Sequence, residues 1–203
     1  SWDEALDLVV SKFKESIEKY GKRSIAGNFS ARCTLEENYV SQKLMRVAIG
    51  NNNVDHCARV WHAPTVAGLA KTIGNGAATN SFTEIGLYSN CVLMIGSNPE
   101  NGHPIAAMHI QRALDRGAKL IVIDPIKTEF AQRADVHIQL PPEHNIPIMN
   151  AMLNYIIAHD LCDDDFIANY TVGFDYVKEA VKEYTPEYVS KMTGVEKELI
   201  EKA

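Results

Sequence analysis

Apolar residues at Ala5, Leu6, Val9, Val10, Phe13 and Ile17 recur at helical spacing behind a Ser1/Glu4 capping box, and the pattern stops at Gly21. Ser24-Ile25-Ala26-Gly27 then reads as a short strand running into a polar loop, Asn28 to Leu35. A second helical pattern covers Glu36 to Ile49 and is closed by Gly50 and the cluster Asn51-Asn52-Asn53. From Cys91 the periodicity changes. Continuous apolar runs at Cys91–Ile95 and Lys119–Ile123 predict buried strands, with a third at Val136–Leu140. Between the first two lie a loop, Gly96–Gly102, and a helix, His103–Arg116, closed by Gly117. Strand, helix and strand in that order predict a βαβ unit of a parallel, doubly wound α/β sheet flanked by helices.

Ile146–His159 predicts a further helix, with Pro147 in its first turn where the missing N–H costs nothing. Beyond it the chain is acidic and helical over Phe174–Tyr184, Pro186–Met192 and Val195–Lys202. The run Asp163-Asp164-Asp165 reads as compensation of a helix dipole at a helix start. There are no repeats and no low-complexity linker.

Composition narrows the function classes. With 203 residues, 46% hydrophobic and 23% charged, this is an ordinary globular chain able to bury a core. A net charge of −6 leaves no electrostatic footprint for nucleic acid. The apolar runs are too short to cross a bilayer, and Ser1-Trp2-Asp3-Glu4 lacks the basic start of a signal peptide. No membrane contact is expected from this segment. Cys33, Cys57, Cys91 and Cys162 lie far apart without a CxxC pair, which argues against zinc or an iron–sulfur cluster within these residues. Reduced, mostly buried thiols and a cytoplasmic location are the expectation.

Candidate chemistry gathers where strands end, because a parallel sheet binds ligands in the crevice beyond its carboxyl edge. Gly96-Ser97-Asn98-Pro99 is not a GxGxxG fingerprint, so a nicotinamide dinucleotide site has little support. Gly96 would admit close backbone approach, and Asn98 and Asn101 offer amides suited to phosphate or sugar; a plain Asn-Pro turn is the competing reading. Asp124 could accept hydrogen bonds from ribose hydroxyls, or Asp124-Pro125 could be a simple strand exit. His62, in a segment read as a loop beside Trp61, stands apart from the other histidines by its setting alone. His56 and Cys57 could pair on a metal, although adjacent ligands on a loop are a weak signal.

Four segments in order carry a resemblance: Ser1-Trp2-Asp3-Glu4-Ala5, then Ser30-Ala31-Arg32-Cys33-Thr34 with Glu36-Glu37-Asn38-Tyr39, then Asn52-Asn53-Val54-Asp55, then Arg59-Val60-Trp61-His62-Ala63-Pro64. Together they resemble the catalytic subunit of molybdenum- or tungsten-dependent formate dehydrogenases, within the molybdopterin oxidoreductases, over all of the chain and part of a much longer subunit. The resemblance implies a Rossmann-like domain over residues 61–203, preceded by part of an adjoining α/β domain over 1–60. It implies a Mo or W bis(molybdopterin guanine dinucleotide) cofactor, a 4Fe–4S cluster outside this segment, formate as substrate and iron–sulfur electron-transfer subunits as partners. Gly96, Ser97, Asn98 and Asn101 would face the phosphates and ribose of one dinucleotide, and Asp124, Pro125 and Ile126 its guanosine end. Arg32 would lie on the pterin side, and His62 beside the metal, orienting formate or taking up its proton.

Three positions depart from that family. Trp61 stands where a selenocysteine or cysteine would ligate the metal, and an indole offers only an N–H donor. Ile126 stands where relatives often carry arginine, and Pro142-Glu143-His144-Asn145 replaces a proline-glycine-threonine turn, leaving Asn145 as the guanine contact there. Selenocysteine is encoded by UGA, one base from the tryptophan codon UGG, so Trp61 can record a selenocysteine position; the rival is a homologue that lost catalysis and kept a cofactor cradle. A different molybdopterin oxidoreductase, such as a nitrate reductase, is the third reading. As written, this segment is expected to be inactive by itself.

Overall fold

A computed structural model describes residues 1–203, which divide into two compact units, Ser1–Thr79 and Asn80–Ala203. The division falls after Thr79, later than the boundary at residue 60 expected from sequence. No helix is long and apolar enough to cross a membrane.

The first unit begins with α1 (Trp2–Tyr20), capped as its sequence predicts: Ser1 Oγ accepts the Glu4 N–H at 3.2 Å, and Glu4 reaches back to the amino terminus. Residues 22–24 form one 3₁₀ turn, and strand β1 begins only at Gly27 (Gly27–Phe29), later than expected. The cause is Ser24, whose hydroxyl donates to Gly21 O at 2.8 Å and fixes the turn before the chain can extend. Next come α2 (Leu35–Lys43), with a Thr34/Glu37 capping box, and a π-helical stretch, Leu44–Ile49, ending at Gly50 with φ 82°. The single helix expected over 36–49 is therefore two kinds of helix in series.

A strand missed by sequence reading, β2 (Val54–His56), pairs in parallel with β1 so that Gly27, Asn28 and Phe29 face Val54, Asp55 and His56. At only three residues each, neither strand shows a period. The asparagine cluster does more than stop a helix. Asn51 Nδ2 donates to Lys22 O (2.6 Å) and Ile25 O (3.0 Å), and Asn53 Nδ2 to Arg23 O (3.0 Å), stitching the two strand entrances together. Ile25, Met45 and Ile49 form a small core against Phe13, Ile17, Phe29 and Val54. The segment read as a loop around His62 is helical: α3 spans Ala58–Trp61 and α4 spans Ala63–Ile73, with Pro64 in the first turn of α4, where proline is tolerated.

The second unit opens with α5 (Phe82–Tyr88) and continues through β3 (Cys91–Ile95), α6 (Pro99–Gly102), α7 (Pro104–Asp115), β4 (Lys119–Ile123), α8 (Glu129–Arg133) and β5 (Val136–Ile138). The sheet order is β3-β4-β5 and both pairings are parallel, with Cys91 opposite Lys119 and Ile121 opposite Val136. The strands thus confirm the predicted βαβ unit. The expected helix His103–Arg116 is preceded by a separate turn, α6, and breaks at His103, whose φ of −146° is extended. β5 stops at Ile138, although Leu140 remains buried.

Each sheet face has its own core, which is why the strands lack a polar alternation. Val92, Met94, Leu120 and Val122 pack with Ala107, Ile110, Phe130 and Ala131 on one side. On the other, Ile95, Ile121, Ile123, Val136 and Ile138 meet helices α9 (Asn145–Ala158), α12 (Pro186–Thr193) and α13 (Lys197–Lys202) through Ile148, Ala151, Val189 and Ile200. Helices α10 (Asp164–Tyr170) and α11 (Phe174–Val181) complete the acidic carboxyl-terminal part, with Asp163 capping α10 through the Phe166 N–H. Gly86 lets α5 approach α7 closely, since a Cβ there would lie 3.1 Å from His109 O.

At the amino edge of the sheet, Asp135 accepts from Lys119 Nζ at 2.7 Å and from the Leu120 N–H at 2.9 Å, joining the starts of β4 and β5. The Lys119 ammonium and that amide hold the Asp135 carboxyl below the ordinary aspartate value. A lowered folded value means that its stabilisation is present above the unfolded pKa and is lost as pH falls through the folded one. Acid titration followed by circular dichroism should therefore show Asp135→Asn losing Tm relative to the parent chain at pH 7, with the difference closing below about pH 4; parallel curves at all pH values would refute the linkage. Ile148, fully buried between α9 and the sheet, sets a second expectation. Ile148→Ala should cost about 2–5 kcal/mol in urea unfolding of this unit, and a loss under 1 kcal/mol would contradict the packing.

Candidate functional site

All three strands of the second unit run the same way, so the segments leaving β3, β4 and β5 lie along one carboxyl edge. Gly96 donates its N–H to Ile123 O at 2.9 Å, which sets the loop after β3 directly beside the end of β4. Its φ of 55° is left-handed, and a Cβ at this position would meet nothing within 4 Å. The chain is thus open to an incoming group at Gly96. Asn98 closes the next turn, its carbonyl accepting from Gly102 N–H (3.0 Å) and its side-chain Oδ1 from Asn101 Nδ2 (3.1 Å). Both asparagines remain exposed, with amide groups to spare, and Ser97 between Gly96 and Asn98 is half-buried.

Asp124 is buried, and its Oδ1 accepts the Ile126 N–H at 2.8 Å in an Asx turn. The Asp124 N–H binds Ile138 O at 3.1 Å, and its carbonyl contacts His137 Nε2 at 3.1 Å. Gln139 Nε2 holds Pro125 O at 2.9 Å. The turn is therefore pinned from β5 while Pro125 and Ile126 stay exposed, Ile126 as bare hydrocarbon. Beyond β5 the chain turns through Glu143, with φ 74°, and delivers exposed Asn145 to the start of α9. Gly96, Ser97, Asn98, Asn101, Asp124, Pro125, Ile126 and Asn145 consequently belong to three neighbouring strand exits.

The first unit carries the other sequence candidates. Cys57 follows β2, and its Sγ accepts the Ala31 N–H at 3.2 Å, tying the turn that bears Arg32 to the strand pair. That N–H, then the Trp61 side chain and the Ser30 hydroxyl, stabilise the thiolate and hold the Cys57 pKa below the ordinary thiol value. Trp61 closes α3 and meets the His62 ring edge-on at 4.3 Å between centroids; both residues are exposed. Arg32 is exposed as well, its N–H donating to Ser30 Oγ at 3.1 Å. His56 Nδ1 accepts the Ala58 N–H at 3.2 Å and lies 3.9 Å from Cys57 Sγ. No three or more His, Cys, Asp or Glu side chains gather as a metal-holding group.

Sequence reasoning passed over Glu100 and Arg133. Glu100 sits in the first turn of α6, where an acid is explained by the helix dipole alone, so no periodic or motif signal marks it. Its carboxylate reaches the start of α8, which follows the Asp124 turn.

Residues 1–187 match the family model described as molybdopterin oxidoreductase, and the chain belongs to that family. It is 48% identical over 200 residues to the F420-dependent formate dehydrogenase subunit alpha of Methanocaldococcus jannaschii, covering 98% of this chain and 29% of that subunit. It is 47% identical to formate dehydrogenase H of Escherichia coli, over 96% of this chain and 27% of that protein. Among solved structures, acetylene hydratase from Pelobacter acetylenicus superposes over the whole chain with a TM-score of 0.63 and 31% identity, this chain spanning 27% of it. The chain thus spans under a third of the relatives it matches.

The Cys57 environment gives a direct expectation. With its thiolate stabilised, the midpoint pH for iodoacetamide alkylation of Cys57, read by peptide mass spectrometry, should lie below that of the same residue in the urea-unfolded chain. Trp61→Phe should raise the midpoint. An unchanged midpoint on unfolding would show that the surrounding donors do not act on the sulfur.

Proposed function

We propose that this chain is part of the catalytic subunit of a formate dehydrogenase, and that its second unit cradles one guanine dinucleotide arm of a bis(molybdopterin guanine dinucleotide) cofactor. The observation that supports this best is similarity to formate dehydrogenase subunits along nearly the whole chain, with the segment Arg59–Pro64 inside it. The residues at the sheet edge fit a nucleotide. Gly96 leaves space for a phosphate beside the backbone, Asn98 and Asn101 offer amide donors and acceptors, and Asp124 supplies a carboxylate for ribose hydroxyls. Asn145 offers an amide to the guanine edge, while Ile126 brings no charge to a phosphate.

The metal end fits less well. Trp61 has no atom able to ligate molybdenum or tungsten, so no chemical step is assigned to a metal held by this residue. In the complete enzyme the cofactor would supply two-electron chemistry, formate would leave as carbon dioxide, and electrons would pass through 4Fe–4S clusters to electron-transfer subunits. His62 would orient formate or accept its proton beside that centre, and Arg32 would lie toward the pterin. A cytoplasmic location is part of the same proposal.

Trp61 also favours a second reading, in which a catalytically silent homologue keeps the cradle. The likeness to an acetylene hydratase is a further reminder that one fold hosts different reactions. The codon at position 61 separates enzyme from scaffold: UGA marks a selenocysteine site, UGG a true tryptophan. At the protein level, the 203-residue chain should show no formate-dependent viologen reduction. The full-length subunit carrying Trp61→Cys, loaded with cofactor, should show it. A loaded Trp61→Cys protein that stays silent with formate would count against formate as substrate.

A further inference from the structure

We propose that Glu100 and Arg133 are a positioning pair that locks the loop after β3 to the turn after β4, so that both crevice loops meet a nucleotide in fixed register. The inference rests on the nucleotide reading above and deepens it. Glu100 uses both carboxylate oxygens. Oε2 accepts the Phe130 N–H at 3.3 Å, and Oε1 accepts from Arg133 Nη2 at 3.0 Å. The Glu100 side chain is only 15% exposed, unlike the other ion pairs of this unit. Enclosure of the Glu100 carboxylate makes loss of its partners costly, while the Arg133 side chain is 47% exposed.

The geometry couples elements that would otherwise be independent. α6 has four residues, too few to hold its own conformation. α8 has five and begins immediately after the Asp124 turn. The first turn of α8 leaves N–H groups unpaired: Thr128 Oγ1 takes that of Ala131 at 3.2 Å, and Glu100 takes that of Phe130 from outside the helix. Arg133 then reaches across to Gln111 of α7 and lies over the Phe130 ring at 4.7 Å from its centroid. Phe130 is itself a core residue, 1% exposed, so the guanidinium is backed by a rigid surface. Asn98 and Asn101, which carry the exposed amides, are in or beside the α6 turn that this pair anchors. An ordinary stabilising ion pair would need none of this convergence on the two loops that flank Gly96 and Asp124.

The test uses the full chain with guanosine diphosphate as probe, and Asp135→Asn as a control that weakens the opposite sheet edge. Titration calorimetry should give Arg133→Met a Kd raised about tenfold over the parent chain at a temperature where both remain folded. Glu100→Gln should raise it by less, because the amide oxygen still accepts the Phe130 N–H. Amide hydrogen exchange should quicken at Gly96–Gly102 in both variants and leave β5 and α9 unchanged. Asp135→Asn should lose Tm with Kd held within about twofold. A Kd in Arg133→Met that stays within about twofold, or an Asp135→Asn control whose Kd rises as much for an equal loss of Tm, would overturn the positioning role. If the parent chain takes up no guanosine diphosphate, the nucleotide reading falls. Exchange then decides the pair alone: unchanged rates at Gly96–Gly102 reject the coupling, and locally raised rates retain it.

Discussion

The hydrogen-bonded ladder that holds β4 between β3 and β5 fixes the place of every group at the carboxyl edge of the second unit. β4 is buried on both faces, with Leu120 and Val122 in one core and Ile121 and Ile123 against the other. A slip of one residue would exchange those faces and bring Lys119 toward a core. Because the register is so strongly specified, the Gly96 N–H meets Ile123 O and the Asp124 N–H meets Ile138 O, and three strand exits align. The site is a consequence of sheet burial before it is a set of side chains.

The two ends of the sheet are secured differently. At the amino edge, Asp135 binds Lys119 and a β4 amide, close to solvent. At the carboxyl edge, Glu100 and Arg133 are more enclosed and bear on loops. Short-range polar contacts, not further apolar area, position the exposed amides of Asn98 and Asn101. That division suits a binding edge: hydrophobic packing is non-directional, whereas a ligand needs donors held at fixed angles.

In the first unit the sulfur of Cys57 has a comparable part. It gathers the Ala31 amide toward the end of β2 and stands next to the helix that ends in Trp61. The result is a local frame with donors aimed at sulfur, beside a side chain that cannot bind metal.

The sequence by itself determined the elements whose signals are local. The capping box at Ser1, the buried runs at Cys91–Ile95 and Lys119–Ile123, and the helix between them follow from backbone satisfaction and from burial of both sheet faces. Their parallel order also follows, since a crossover helix carries the chain back to the same end of the sheet before the next strand begins. Tertiary structure decided what depends on partners distant in the chain. β1 and β2 are too short to carry a period and exist because they pair with each other, with Asn51 and Asn53 bridging their entrances. The helical state of residues 58–73 was hidden by the expectation of a loop around His62. Glu100 and Arg133 lie 33 positions apart, and no spacing rule joins them. Only the crossover of α7 between β3 and β4 brings an acid after one strand to the helix after the next, because hydrogen bonds select by position in space and leave no period along the chain.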